Sequence, residues 1–257
     1  KPLLLATLAL LLPLAATAAT PVTLRVLCYN IHHGEGLDGR IDLERIARLI
    51  TDQRADLVAL QEVERGTTRT GGRDLAAELG RLTGLTPHFV KNIPYQGGEY
   101  GIAVLTRFPI RRTAHTLLKK FGDGEQRGVQ HVVVEVHGRE LLFLNTHLDH
   151  RRDPAERDHS VEEIRRMVVA AGTTPVILCG DFNATPESTA IRRMREFMTD
   201  TWSVVGAGPG HTVPVRKPTR RIDYIWVSSP TVVPLKMEVL PSEASDHLPM
   251  VAEIQLR

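Results

Sequence analysis

The sequence predicts an α/β fold with two β-sheets packed face to face and helices on the outside. Two observations predict it: short apolar or alternating runs typical of strands recur along the whole chain, and amphipathic helical segments lie between them. A chain of 257 residues is long enough for one large domain or two small ones. Because no linker or low-complexity tract divides it, we expect a single domain over residues 20–257.

The predicted elements follow from hydrophobic periodicity and from helix-start signals. Strands are predicted near residues 22–29, 56–61, 100–106, 110–118, 128–137, 140–146, 175–180, 222–228, 231–240 and 248–256. Helices are predicted over 42–52, 73–83, 153–171 and 186–197. Pro186 and Glu187 suit the first turn of the last helix. Both tryptophans, Trp202 and Trp226, fall in strand-like runs.

Residues 1–19 have the composition of a secretory signal peptide: a basic first residue, a short apolar run and an Ala-Thr-Ala site. The apolar run is shorter than a typical membrane-spanning helix. An uncleaved membrane anchor is the alternative to a cleaved signal peptide. We therefore expect export to the periplasm or the extracellular space, with no stable membrane span after cleavage.

Two cysteines, Cys28 and Cys179, fall on predicted core strands. In an oxidising compartment they could pair if their strands are neighbours, but a sequence does not give the separation of their Cα atoms. We favour two buried thiols that pack as small hydrophobic groups. They do not indicate a zinc site, because no His or Cys partner stands at zinc-site spacing.

The chemistry-bearing residues follow strand-like runs. Asp181 and Asn183 come directly after the apolar run 175–179, in the sequence Gly-Asp-Phe-Asn. Asp and Asn also make ordinary turns, but a hard cation or a water nucleophile needs oxygen ligands held on a rigid element. Polar residues at the ends of strand-like runs recur along the chain, and a single active site would explain all of them. The other strand-associated residues are Asn30, Glu62, His147, Asp223, Asp246 and His247.

Taken in order, these motifs resemble the endonuclease/exonuclease/phosphatase superfamily, and the resemblance covers the chain from Val22 to the C-terminus. It implies a four-layer αββα sandwich and a metal-dependent phosphoric ester hydrolase of nuclease or phosphatase type. It also implies that Glu62 is a direct metal ligand, with Asn30 and Asp246 completing the site directly or through water. All-oxygen ligands point to Mg²⁺ or Mn²⁺, with Ca²⁺ as a further alternative.

The same resemblance implies the catalytic roles. His247 is the general base, because histidine titrates near neutral pH, and Asp223 is its acid partner. His147 donates to a non-bridging phosphate oxygen, and Glu99 is a candidate to orient His147. The amide of Asn183 orients phosphate or water, and Asp181 takes part in proton transfer.

Arg127 precedes a predicted strand and resembles the family arginine that reaches the substrate. A surface salt bridge is the alternative role for this residue.

The substrate stays open at this point: nucleic acid, a phospholipid head group or a small phosphate ester. A nuclease needs a basic surface, yet the formal net charge is only +2 and aromatic residues are few. We expect a monomer. A non-catalytic binding module on the same fold is the alternative, although none of the main site residues is missing. The absence of a Gly-x-Ser-x-Gly elbow argues strongly against a serine hydrolase.

Overall fold

The computed structural model describes residues 21–228 and 230–257, which form two six-stranded mixed sheets. The strands are β1 (Val22–Asn30), β2 (Leu57–Arg65), β3 (Thr86–Tyr95), β4 (Gly98–Thr106), β5 (Ile110–Leu117), β6 (Gly128–Val136), β7 (Arg139–His147), β8 (Val176–Asp181), β9 (Thr199–Asp200), β10 (Asp223–Val227), β11 (Val232–Val239) and β12 (Met250–Leu256). The strand order is β11-β12-β1-β2-β4-β3 in the first sheet and β5-β6-β7-β8-β10-β9 in the second.

The helices flank these sheets. They are α1 (Leu43–Asp52), α2 (Leu75–Thr83), α3 (Ala155–Ala170), α4 (Thr189–Met194) and α5 (Thr201–Val205), with a short 3₁₀ turn at His32–Gly34. One apolar core lies between the two sheets, a second joins the first sheet to α1 and α2, and a third joins the second sheet to α3 and α4. The predicted four-layer αββα sandwich is therefore confirmed.

Local sequence explains where the helices begin. The side chain of Asp42 accepts hydrogen bonds from the N–H groups of Glu44 and Arg45, which caps α1. Ser188 caps α4 by accepting from the N–H of Ile191. The prediction of a helix over 186–197 was therefore too long, because the cap lies at Ser188 rather than before Pro186.

The structure contains one strand that was not predicted and one helix where a strand was predicted. β3 was not predicted, because Pro87 and Pro94 argue against a strand; the structure places it at the edge of the first sheet, where proline is tolerated. The assignment of Trp202 to a strand was wrong: it lies in the short helix α5, and its indole N–H donates to Gly208 O at 3.0 Å. Trp226 lies in β10, as predicted.

Cys28 and Cys179 are free thiols in the core between the two sheets. Burial raises the pKa of the Cys28 thiol, and its hydrogen bond with Cys179 adds to that rise. The two residues pack as small hydrophobic groups, which agrees with the favoured alternative.

No helix among the described residues is long and apolar enough to cross a membrane. The predicted signal peptide, residues 1–19, lies outside the described residues, so export stays a prediction.

A buried ion pair supports the end of the second sheet. Asp200 accepts two hydrogen bonds of 2.8 Å from Arg221, and the two side chains are only 1% and 4% exposed. Burial alone would raise the pKa of Asp200, but hydrogen bonds and charge from Arg221 and Arg195 hold that pKa below its usual range. The folded state therefore stabilises the ionised carboxylate.

Asp200→Asn is expected to lower the free energy of unfolding at pH 7 by about 3–5 kcal/mol, because it leaves Arg221 as an unpaired buried charge. The contribution of ionised Asp200 is present above the ordinary aspartate pKa and is lost as the pH falls through the lowered folded-state pKa. Urea unfolding from pH 7 down to pH 3 measures both effects. Glu140→Gln, which breaks the exposed pair with Arg112, is the control and should change stability little. Equal effects of the two substitutions would contradict this account.

Candidate active site

Strand register places three site residues of the second sheet side by side. In the parallel pair β7 and β8, His147 lies opposite Asp181, and in the antiparallel pair β8 and β10, Asp223 lies opposite Asp181. Gly180 permits this close pairing, because a Cβ at that position would lie 2.3 Å from Thr146 O. The register therefore brings the predicted residues to one edge of the sandwich.

The first sheet contributes Glu62 through a β-bulge. The pairing of β2 with β4 shifts between Gln61 and Val63, so Glu62 is the extra residue, and its φ is 58°. Such left-handed backbone is costly for a residue other than glycine and is concentrated at functional sites. The bulge allows the Glu62 side chain to line the site cavity while Gln61 and Val63 stay buried.

A buried hydrogen bond ties the two sheets together beneath the site. The amide of Gln61, in the first sheet, donates to Asn145 Oδ1 in the second at 2.8 Å. Asn145 in turn donates to the backbone carbonyls of Leu60 and Ala103 at 3.0 and 2.9 Å. Because Asn145 precedes His147 by two residues on β7, this link fixes the position of the histidine relative to the first sheet.

His247 and Asp223 form the predicted acid–imidazole pair. His247 Nδ1 lies 2.9 Å from Asp223 Oδ2, and the backbone N–H of His247 donates to Ser245 Oγ. Burial lowers the pKa of His247, but the charges of Asp223 and Asp181 outweigh burial and raise it to about 10. With Nδ1–H held by Asp223, the reactive nitrogen is Nε2.

Asp181 occupies the centre of the site. Its Oδ2 lies 3.5 Å from His147 Nε2 and 3.7 Å from His247 Nε2. Burial and the neighbouring charge of Asp223 raise the pKa of Asp181 to about 7, against the lowering effect of His247. Asp181 can therefore hold or release a proton near neutral pH, which suits the predicted role in proton transfer.

Asn30 connects this centre to Glu62. Its Nδ2 donates to Glu62 Oε1 at 3.0 Å and to Asp181 Oδ2 at 3.1 Å, while its Oδ1 accepts from the N–H of His32. In this orientation the Asn30 amide presents hydrogen atoms, not oxygen, to the carboxylates. Asn30 therefore links the two carboxylates, and its part in a cation site, directly or through water, stays a prediction.

His147 and Asn183 also contact each other. Asn183 Nδ2 donates to Leu148 O and lies 3.1 Å from His147 Nε2, so Nε2 is the acceptor and the proton sits on Nδ1. Burial, followed by the charges of Arg127 and His247, holds the pKa of His147 well below its usual range. Its Nδ1 is buried and has no hydrogen-bond partner among the described residues. His147 is thus a neutral donor with its N–H unused.

Arg127 is buried rather than part of a surface salt bridge. Only 2% of its side chain is exposed, its Nη1 lies 2.8 Å from Glu125 Oε1, and its Nη2 lies 3.2 Å from His150 Nδ1. Nη1 and Nε make no aligned hydrogen bond to the described residues, so the contact with Glu125 is an ion pair with poor hydrogen-bond geometry. A buried guanidinium with unused donors is a strong anion-binding feature.

Six of the predicted site residues line one cavity of about 330 Å³: Glu62, Arg127, His147, Asp181, Asn183 and His247. Sequence reasoning missed its other lining residues: Arg69, Ile93, Tyr95, Tyr100, Glu125 and His150. Arg69 stacks over the Tyr95 ring at 4.8 Å and pairs with the buried Glu64. Tyr95 was missed together with β3, because the two prolines concealed that strand.

Glu99 and Asp246 are the two remaining predicted site residues. Glu99 does not orient His147: its carboxylate pairs with Arg65 and Lys91, and His147 Nδ1 has no hydrogen-bond partner among the described residues. That prediction was wrong. Asp246 is exposed, and its Oδ1 lies 3.4 Å from Ser245 Oγ, so a part for it in a cation site stays a prediction.

The fold and the site together define a hydrolase of phosphate esters: paired carboxylates, a His–Asp pair and unused buried donors surround one cavity. The model of the Endonuclease/Exonuclease/phosphatase family matches residues 27–247. The chain belongs to this family, and its class of chemistry is phosphoester hydrolysis.

The chain is also similar to individual proteins. The uncharacterized protein YbhP of Escherichia coli is 27% identical over 90% of this chain and 96% of its own length. A 5'-tyrosyl-DNA phosphodiesterase of Caenorhabditis elegans is 26% identical over 71% of this chain and 48% of its own. A mannosyl-6-phosphatase structure from Bacteroides thetaiotaomicron superposes with a TM-score of 0.77 at 20% identity, covering 90% of this chain and 99% of that one, which is a likeness of fold.

Proposed function

We propose that this protein is an exported hydrolase of small soluble phosphate esters that depends on Mg²⁺ or Mn²⁺ held at Glu62. One observation supports it above the others. The buried guanidinium of Arg127 has unused hydrogen-bonding capacity, and Arg127 lines the same cavity as Glu62, His147 and His247. An anionic phosphate would satisfy this guanidinium, and a cation would balance the acids.

The residues around Glu62 fit a hard divalent cation. Glu62 offers a partly exposed carboxylate whose Oε1 is held by Asn30. The buried carboxylates of Asp181 and Asp223 lie nearby, and the charge of Asp223 helps to raise the pKa of Asp181. A nearby cation would relieve this repulsion and favour the ionised acids.

The chain's own residues can perform the hydrolysis. When bound, the cation would withdraw charge from a phosphate oxygen. His247 Nε2 accepts a proton from the attacking water while Asp223 supports the resulting imidazolium. The water oxygen bonds to phosphorus as the ester P–O bond breaks, and the leaving oxygen takes a proton from Asp181, whose pKa is raised to about 7, to give the alcohol. His147 and Arg127 donate to the phosphate oxygens as their charge grows.

His247 must be neutral to accept that proton. Without a cation, the surrounding acids hold its pKa at about 10, and the imidazole is charged at neutral pH. Positive charge at Glu62 would lower that pKa by repulsion. Metal binding and activation of the base are therefore coupled in this proposal.

Charge pairing around the cavity favours a small substrate over a nucleic acid. Arg69, which lines the cavity, is paired with Glu64, and the nearby Arg151 is paired with both Asp149 and Glu156. These arginines therefore add little net positive field for a long phosphate backbone, which dominates nucleic-acid affinity. The cavity of about 330 Å³ lies at the small end of the range for small-molecule sites.

A substrate panel tests this proposal. The members are bis(p-nitrophenyl) phosphate, p-nitrophenyl phosphate, inositol phosphates, sphingomyelin, plasmid DNA and RNA, each with Mg²⁺, with Mn²⁺ and with EDTA. We expect EDTA-sensitive hydrolysis of small esters with a higher kcat/KM than cleavage of DNA or RNA at physiological salt. A preference for plasmid DNA would contradict the small-substrate proposal while leaving the chemistry in place.

We propose export from the composition of residues 1–19 alone. Expression of the full chain followed by N-terminal sequencing tests it. We expect the mature protein to begin near Ala19 and to be found outside the cytoplasm. An intact N-terminus on cytoplasmic protein would contradict the proposal.

A further inference from the structure

We propose that His32, His33 and Glu62 form a transition-metal site, suited to Zn²⁺, which shares the Glu62 carboxylate with the oxygen-rich centre. One ligand atom from each of these residues lies within 4.8 Å of the other two. The proposal does not depend on phosphoester hydrolysis, because it concerns metal binding by these three side chains.

The chain path brings the two histidines together. β1 ends at Asn30, and the tight turn His32–Gly34 follows, with φ of 44° at both His32 and His33. The rings lie edge to face with their centroids 4.4 Å apart. Both imidazoles therefore reach the same side of the site as the Glu62 bulge.

Each histidine has one ring nitrogen directed to Glu35. His32 Nδ1 lies 3.3 Å from the Glu35 carbonyl oxygen, and His33 Nε2 lies 3.4 Å from Glu35 Oε2. Metal-binding histidines typically donate their second N–H to a carbonyl or carboxylate in this way, which fixes the tautomer. With protons on those nitrogens, the lone pairs are on His32 Nε2 and His33 Nδ1.

His33 provides an independent indication of a ligand. It is only 4% exposed, and its Nδ1 is a buried polar atom without a hydrogen-bond partner among the described residues. An unsatisfied buried nitrogen is costly unless something binds it. A metal ion would satisfy this lone pair.

The donor set selects the class of metal. Two imidazole nitrogens and one carboxylate oxygen suit Zn²⁺ and its neighbours, whereas Mg²⁺ prefers oxygen ligands. Ligand atoms of a tetrahedral zinc ion lie about 3.4 Å apart, which falls inside the 4.8 Å limit on the separations of these three ligand atoms. Three protein ligands leave the fourth position to water or a bound anion.

Zinc binding to the chain with and without these histidines tests the proposal. The variants are His32→Asn and His33→Asn, because asparagine tolerates the left-handed φ at both positions. The control is His137→Asn, which removes an exposed imidazole at a turn with a similar φ of 48°. All are made in the His247→Asn background, which disrupts the other candidate cluster, Asp181–Asp223–His247.

Equilibrium dialysis against Zn²⁺, with metal analysis of the protein, gives the stoichiometry. We expect His32→Asn and His33→Asn to lose about one zinc equivalent per chain and His137→Asn to lose none. Co²⁺ in place of Zn²⁺ should give visible d–d absorption that disappears in the same two variants. Circular dichroism checks folding, and the partly exposed His32 keeps the test valid if His33→Asn does not fold. Unchanged zinc stoichiometry in a folded His32→Asn variant would overturn the proposal.

Discussion

His247→Asn is expected to lower kcat for phosphoester hydrolysis by about 10²- to 10⁴-fold, the usual contribution of a positioned acid–base group. The variant removes the Nε2 that accepts the proton of the attacking water. It also leaves the buried Asp223 without its imidazole partner, 2.9 Å away in the native site. Because the variant keeps Arg127 and His147, the proposed phosphate-binding residues, KM should change far less than kcat.

Steady-state kinetics at saturating Mg²⁺ on the best substrate of the panel measures this effect. His137→Asn removes an exposed imidazole and should leave kcat unchanged. A His247→Asn variant that keeps wild-type kcat would exclude His247 as the general base.

Glu62→Gln is expected to raise the Mg²⁺ concentration needed for half-maximal activity by about tenfold or more, because a neutral amide is a much weaker ligand for a hard cation. The substitution keeps the size of the side chain and its place in the bulge. The effect should appear in direct Mg²⁺ binding by calorimetry as well as in rates, so a loss of activity from misfolding can be recognised.

Glu99→Gln is the matched control for Glu62→Gln. Its carboxylate lies on the neighbouring strand but pairs with Arg65 and Lys91. We expect unchanged Mg²⁺ affinity and unchanged kcat. If Glu62→Gln and Glu99→Gln bind Mg²⁺ alike, Glu62 is not the cation ligand.

Part of the site could be predicted because its residues stand at the ends of apolar runs, which the sequence shows directly. His147 and Asp181 end their strands and Asp223 begins one, and the strand pairing seen in the structure then places them side by side. The two-sheet architecture followed from the recurrence of strand-like runs. The His247–Asp223 pair was predicted from the family resemblance alone. Its two residues are 24 positions apart in the sequence, and no periodic pattern connects them.

Other features depend on tertiary geometry that no local pattern encodes. Tyr95 reaches the cavity from an edge strand that contains two prolines, and edge position is not visible in one sequence. The direction of the Asn30 amide is decided by the N–H of His32. Glu99 was misassigned because a position before a strand does not show which arginine its carboxylate will meet.

The central claim is that His247 activates water for attack on phosphorus in the presence of a divalent cation. Hydrolysis of a phosphate ester in ¹⁸O-labelled water, with Mg²⁺ or with EDTA, tests it most directly for the wild-type protein and for His247→Asn. We predict that the phosphate-containing product takes up one ¹⁸O atom, at a rate that falls sharply with EDTA and with His247→Asn. Label in the released alcohol, or uptake into phosphate that is equally fast with EDTA and in the variant, would contradict the account.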